Sequence, residues 1–219
     1  MENISKGEST RLAIIDKARL VFNERGIGIT LDAIAQEMGM TKSRISNHFN
    51  TKDALFGAIL KEYEEELAAL MKKLYASDTG FTLQTYVNSV SSIMDAQFKY
   101  RCGIIYLNML SPSQHELKAH IRETYVRNQG FIRARMQNMI ALKLLTPNML
   151  EEPNWSAFLF VYVNLLTQWV IHLDMYDSDK PYDENKANYI RGIITHIYLP
   201  YFTSKGKKEF EALEFGGVL

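Results

Sequence analysis

Residues 30–53 run Thr-Leu-Asp-Ala-Ile-Ala-Gln-Glu-Met-Gly-Met-Thr-Lys-Ser-Arg-Ile-Ser-Asn-His-Phe-Asn-Thr-Lys-Asp, which reads as two short helices around a tight glycine turn. That is the layout of a helix-turn-helix. Thr30 can N-cap the first helix, with Leu31, Ile34, Ala35 and Met38 on its inner side. Ala35 is small where the second helix has to cross closely. Four residues on, Gly39 supplies the positive φ that turns the chain. Met40 and Ile45 bury the start and middle of the second helix, and Thr41 is its N-cap. The face left over, Thr41, Lys42, Ser43, Arg44, Ser46 and Asn47, is polar and basic and suits a major groove. Taken alone, an Ala-x-x-x-Gly spacing equally fits a solvated turn between two ordinary helices.

The flanks decide between these readings. Upstream, Arg11-x-x-Ile14-x-x-x-Ala18-x-x-x-Phe22-x-x-x-Gly26 marks a helix ended by glycine, and downstream His48-Phe49-x-x-Lys52-Asp53-x-Leu55 leads into another. Together with Ile34-Ala35 and Gly39-Met40-Thr41-Lys42, these positions resemble, in order and spacing, the N-terminal domain of TetR-family (TetR/AcrR-type) transcriptional regulators. The resemblance is close over Arg11–Phe56 and continues beyond it as a matching helical layout. It implies an all-α protein with an N-terminal three-helix DNA-binding domain. A long helix would join that domain to a C-terminal helical bundle that dimerises. The expected divisions are 1–52 for DNA binding, 53–203 for ligand binding and dimerisation, and 204–219 as a tail.

Composition sets the limits. A length of 219 residues accommodates one large or two small domains, and 47% hydrophobic content suffices for a buried core. Charge balances at 25 basic against 25 acidic residues, so no global field draws the chain to nucleic acid. Residues 1–52 hold 8 Lys/Arg against 6 Asp/Glu, which allows a local basic patch without establishing one. A single cysteine, Cys102, rules out an internal disulfide framework and suits a reducing cytoplasm. Its apolar setting reads as a buried small side chain and not a reactive thiol. The start, Met-Glu-Asn-Ile-Ser-Lys-Gly-Glu, lacks the apolar run of a signal peptide.

Along the chain the pattern predicts helix after helix, with 5 prolines, 12 glycines and no long period-two run. A first helix over about 9–25 turns Leu12, Ile15, Ala18, Leu20, Val21 and Phe22 inward, with Lys6 and Arg11 near its start for phosphate or solvent. From Lys52 to about Tyr75 a long helix carries Leu55, Ile59, Tyr63, Leu67, Leu70 and Leu74 along one side, with Glu64-Glu65-Glu66 on the wet face. Ser77-Asp78-Thr79-Gly80 breaks the pattern. Helices follow over about 81–100 and from Cys102 to Leu110, the latter stopping before Ser111-Pro112-Ser113. Residues 114–145 make one long or two abutting helices with Gly130 as the weak point, and Pro147 and Pro153 bracket a loop. Trp155–Tyr176 is apolar nearly all round, the mark of a helix buried on more than one side. Asn164, Gln168, His172 and Asp174, with no basic flank, argue against a membrane span there. A last helix covers about 183–202, and the tail from Ser204, with Lys205-Gly206-Lys207-Lys208, reads as exposed.

Two consecutive apolar C-terminal helices cannot both be covered by one chain, so self-association is expected. In TetR-like proteins the last two helices pair into a four-helix dimer interface, and the resemblance implies the same here. A twofold dimer asks for a palindromic operator in double-stranded DNA. Thr30 and Lys52 are expected on phosphates. Thr41, Lys42, Ser43 and Arg44 should approach base edges, with Arg44 suited to a guanine. Asn47 can read a base or a phosphate, and His48 a phosphate. The chain departs from the family pattern at Ser46, where a tyrosine is common, and at Ser43-Arg44, where a small residue and a threonine are common. The first change removes an aromatic contact; the second implies a different operator preference.

The resemblance also implies a pocket for a small-molecule effector in the C-terminal domain. Tyr106, Asn108, Met109, Phe131, Arg135, Trp155, Tyr162 and Trp169 can line it, although plain packing explains each one singly. Asn164, Gln168 and His172, spaced four apart, form a polar line that can face a pocket, the dimer contact or water. No cofactor, metal site or catalytic set is expected. His115 and His120 are five apart and miss the spacing of a helical zinc pair, and there is no P-loop, dinucleotide fingerprint or nucleophile elbow. The expected function is a sequence-specific, ligand-responsive repressor. The competing class is a helical small-molecule carrier or enzyme that keeps a vestigial DNA-binding fold.

Overall fold

Side-chain caps decide where the N-terminal helices begin. In the computed structural model, which describes residues 5–76, 80–109 and 115–215, helix α1 (Lys6–Arg25) opens at Ser5. The Ser5 hydroxyl accepts from the Glu8 amide at 3.2 Å, which starts α1 earlier than the periodicity alone suggests. The buried side of α1 holds Ile14, Ile15, Ala18, Arg19, Val21 and Phe22. Leu12 and Leu20, expected inside, are exposed. At helical spacing Leu20 falls on the side opposite Ile14, Ala18 and Val21, so the stripe leaves it in water.

Helix α2 (Leu31–Glu37) is capped by Thr30, whose Oγ1 accepts from the Ala33 amide at 3.2 Å. It ends in a Schellman motif: the Met40 amide donates to the Ala35 carbonyl at 2.8 Å and the Gly39 amide to Gln36 at 3.0 Å. Gly39 has φ +61°, the left-handed conformation this ending needs. Helix α3 (Lys42–Ser46) follows at once, and α4 (Lys52–Ala76) is the long helix anticipated. Ile34, Ala35, Ile45, Phe49, Leu55, Phe56 and Ile59 close a core against α1, and the Phe22 and Phe56 rings stack at 4.5 Å. Each phenylalanine buried this way contributes about 1.5–3 kcal/mol.

Helices α5 (Leu83–Lys99) and α6 (Arg101–Asn108) come next. The chain divides into two units, 1–76 with 95–110, and 77–94 with 111–219. The end of α5 and all of α6 are tied to α1. The Asn23 amide donates to the Lys99 carbonyl at 2.8 Å and its Oδ1 accepts from the Cys102 amide at 3.0 Å. Arg101 donates to the Asn23 carbonyl at 3.0 Å, and Arg19 to Lys99 at 3.3 Å. Cys102 is buried, and burial pushes its thiol up to about 11. The expected breaks at Ser77-Asp78-Thr79 and Ser111-Pro112-Ser113 lie outside the described residues.

In the second unit α7 (His115–Ala141) is one uninterrupted helix, so Gly130 does not break it. A short 3₁₀ turn (Pro147–Leu150) leads to α8 (Asn154–Tyr176) and α9 (Tyr182–Ile193), which continues as a π-turn (Ile194–Tyr198) and a 3₁₀ turn (Leu199–Tyr201). Residues 204–211, expected in an exposed tail, instead form helix α10 (Ser204–Glu211), capped by Thr203. Gly206 explains its docking: a Cβ there would stand 2.2 Å from the Leu144 carbonyl oxygen, so only glycine lets the backbones approach. Lys205 donates to the Leu142 carbonyl at 3.0 Å, just past the end of α7, and Glu209 accepts from the Leu83 amide at 3.1 Å, at the start of α5.

Helix α8 is not buried on more than one side. Trp155, Phe158, Leu159, Tyr162, Trp169, Val170 and Leu173 pack inward. Phe160, Val161, Leu165, Met175 and Tyr176 are between 41% and 69% exposed. The apolar surplus expected of both C-terminal helices sits on α8, since the exposed positions of α9 are Asp183, Asn188 and Arg191. By length and composition α8 could cross a membrane, but its inward face belongs to the core of the second unit.

Candidate nucleic-acid interface

Everything in α3 follows from one buried residue. Ile45 is fully buried, so the remaining positions of a five-residue helix turn outward. Thr41 Oγ1 accepts from the Arg44 amide at 3.3 Å and fixes where the helix starts. Thr41, Lys42, Ser43, Arg44 and Asn47 are exposed, and Ser46 and His48 are half-buried. Arg44 makes no side-chain hydrogen bond or ion pair among the described residues. Lys42 pairs with Asp32 of α2 at 2.8 Å, with both partners at least half exposed. A pair that exposed is worth about 0–1 kcal/mol, so a phosphate competes for Lys42 easily.

The other predicted DNA contacts are placed differently. Thr30 is exposed beside α3 while its hydroxyl caps α2. Lys52 is half-buried: its Nζ donates to the Ile27 carbonyl and lies 5.6 Å from the Phe22 ring centroid and 6.0 Å from that of Phe56. Partial desolvation outweighs its neighbour Asp53 and lowers the ammonium below its usual 10.5. In the structure Lys52 therefore fastens the turn after α1 to the start of α4. Arg11 lies 5.2 Å over the Phe49 ring and near Glu8, and Lys6 is exposed.

The eleven residues expected around an effector do not gather in one place. Tyr106 belongs to the first unit, stacked on Phe56 at 4.0 Å with its hydroxyl on Asp53. Asn108 caps back to the Ile104 carbonyl at 2.9 Å, and Met109 and Phe131 are exposed. Asn164, Gln168 and His172 keep their single line on the exposed side of α8, with His172 Nε2 3.4 Å from Asp177. Arg135, Trp155 and Tyr162 meet around Tyr86, Phe158 and Tyr198, while Trp169 is buried against Tyr182 and Tyr189, and Tyr189 also meets the His172 ring. Tyr86 and Tyr198 were not picked out from the sequence. Their signal was a tyrosine on a fully apolar stripe, at the spacing Leu83, Tyr86, Val87, Val90 and at the end of Ile193, Ile194, Ile197. Among the described residues no group of His, Cys, Asp and Glu stands ready to hold a metal ion, and the side chains of His115 and His120 lie outside them.

This geometry has counterparts. The family model for bacterial regulatory proteins of the tetR family matches residues 14–59, and one for a bacterial transcriptional repressor of the same family matches residues 62–210. The chain belongs to the TetR family. The HTH-type transcriptional repressor Rv1474c of Mycobacterium tuberculosis is 39% identical over 64 residues, 29% of this chain. That match spans about a third, 34%, of the repressor's length. The regulator UidR of Escherichia coli K12 is 23% identical over 141 residues, covering 63% of this chain and 70% of that one. Among solved structures, a TetR-family regulator from Marinobacter aquaeolei VT8 superposes with a TM-score of 0.78 at 23% identity, covering 93% and 96% of the two chains. A gamma-butyrolactone receptor superposes with a TM-score of 0.64 at 17% identity, covering 94% and 96%. At such identities the likeness is one of TetR-type fold.

Proposed function

We propose that this TetR-family chain is a cytoplasmic, ligand-responsive repressor that binds a palindromic operator as a homodimer. The observation that carries the DNA-binding part is the outward edge of α3: Thr41, Lys42, Ser43 and Arg44 exposed on a helix anchored by Ile45. Arg44 reads a base edge, Lys42 exchanges Asp32 for a phosphate, and Thr30, Ser46, Asn47 and His48 flank the groove. Lys52 acts on phosphate only through donors left over from its bond to Ile27. The exposed apolar side of α8 supports the dimer, since surface of that kind is covered in stable soluble proteins. Two linked heads raise the effective concentration of the second, which a five-residue reading helix needs.

Effector binding in the second unit would bias the spacing of the two heads, provided the ligand prefers one spacing over the other. A solved neighbour described as a gamma-butyrolactone receptor supports a small molecule in that role. The test is a gel-shift series at rising salt on the DNA upstream of the gene. Specific retardation that weakens with salt and is lost in Arg44→Ala is the expected result. No retardation of any sequence at low salt overturns the reading.

A further inference from the structure

Three tyrosine hydroxyls meet inside the second unit, each from a different element: Tyr86 of α5, Tyr162 of α8 and Tyr198 of the π-turn after α9. Tyr86 Oη lies 2.9 Å from Tyr162 Oη and 2.6 Å from Tyr198 Oη, and all three side chains are buried. Burial holds Tyr86 and Tyr198 neutral, well above the ordinary phenol value. Three neutral phenols bring three O–H protons, and two oxygen–oxygen contacts use two of them. Among the described residues one buried donor is left over. Phenylalanine at the same positions would fill the space without that cost, so the hydroxyls ask for an acceptor.

The surroundings say which acceptor. The Arg135 guanidinium of α7 lies 5.4 Å over the Tyr86 ring and adds positive charge beside the donors. The neighbouring rings are aromatic and in mutual contact. Phe158 stacks on Tyr162 at 5.3 Å and meets Tyr198 edge-on at 5.5 Å, and Trp155 stacks on Phe158 at 5.7 Å. A π-turn, a form that recurs at functional sites, carries Tyr198 into the group. Met94, Met136 and Met139, unbranched and adaptable, are buried in the same unit.

We propose that this centre is the effector subsite and takes a small aromatic carboxylate. The carboxylate accepts the surplus tyrosine proton beside Arg135, and the ring joins the Trp155–Phe158 stack. This rests on the reading of the chain as a ligand-responsive regulator, but its test needs no DNA. The full-length protein is titrated with benzoate, and with benzamide as the neutral isostere, by calorimetry and tryptophan fluorescence. Benzoate is expected to saturate one site per chain and to bind at least about ten-fold tighter than benzamide. Tyr86→Phe, Tyr162→Phe and Arg135→Gln, each checked for helicity and a cooperative melt, should weaken benzoate binding by about ten-fold or more. Tyr125→Phe, on an exposed position of α7, should leave it unchanged. Equal affinity for the two probes, binding that survives all three substitutions, or no binding up to about 10 mM overturns the proposal and leaves a water molecule as the acceptor. Intact DNA retardation with no benzoate binding sinks this inference alone. Benzoate binding with no retardation of any DNA sinks the repressor reading alone.

Discussion

Helices α3 and α8 both present a face that the chain itself does not cover, but the two faces differ in kind. The five residues of α3 bury Ile45 and show Lys42, Ser43 and Arg44 to solvent. The 23 residues of α8 bury one aromatic side and show Phe160, Val161, Leu165, Met175 and Tyr176 on the other. Polar surface is at ease in water, so energetics alone demand nothing of α3; shape and donor chemistry recommend DNA. Exposed apolar surface costs about 25 cal/mol per Å² against burial, so α8 gains from a partner of any apolar kind. Chemistry therefore argues for the partner proposed for α3, and free energy for a partner at α8.

The strongest way to break the comparison is to make α8 resemble α3. Val161→Glu with Leu165→Glu would add four like charges to the proposed twofold interface. Sedimentation should then report monomers, and operator affinity should fall by about 100-fold or more as the two heads lose their link. Retained dimers would place self-association elsewhere. Next comes the guanidinium of Arg44. Arg44→Ala should cost about 1–3 kcal/mol at the specific site, read by competition shift, while binding to random DNA changes little. Equal losses on both would make Arg44 a phosphate contact and not a base reader.

A smaller effect separates the turn that aims α3 from an ordinary helical glycine. Gly39→Ala forces a side chain onto φ +61° and should destabilise the protein by about 1–2 kcal/mol in denaturant titration. Gly130→Ala, in mid α7 with open space around its Cβ, should instead stabilise by about 0.4–1 kcal/mol. The smallest change concerns the exposed Lys42–Asp32 pair. Lys42→Ala should alter stability by less than about 1 kcal/mol and lower the salt slope of DNA binding by about one.

Much of the first unit is legible in the sequence alone. Thr30, Gly39, Thr41 and Ile45 do in the structure what their types and spacing require, because capping and left-handed turns involve groups three or four residues apart. Lys52 was harder. A lysine after a reading helix suits a phosphate, but its bond to Ile27 depends on a turn 25 residues earlier. Gly130 in α7 shows the limit in the other direction, since a lone glycine lowers helix propensity by only about 1 kcal/mol and tertiary context overrides it.

By itself, then, the amino-acid order determined the succession of helices, the glycine-turned reading head and the apolar excess of the helix at 154–176, all set by backbone stereochemistry and periodicity over a few neighbours. Tertiary structure alone decided that residues 95–110 join the first unit through Asn23, that α10 docks on Leu144 through Gly206, and that three tyrosines converge. Those outcomes join groups 59 to 112 residues apart, and no local propensity carries information across that distance.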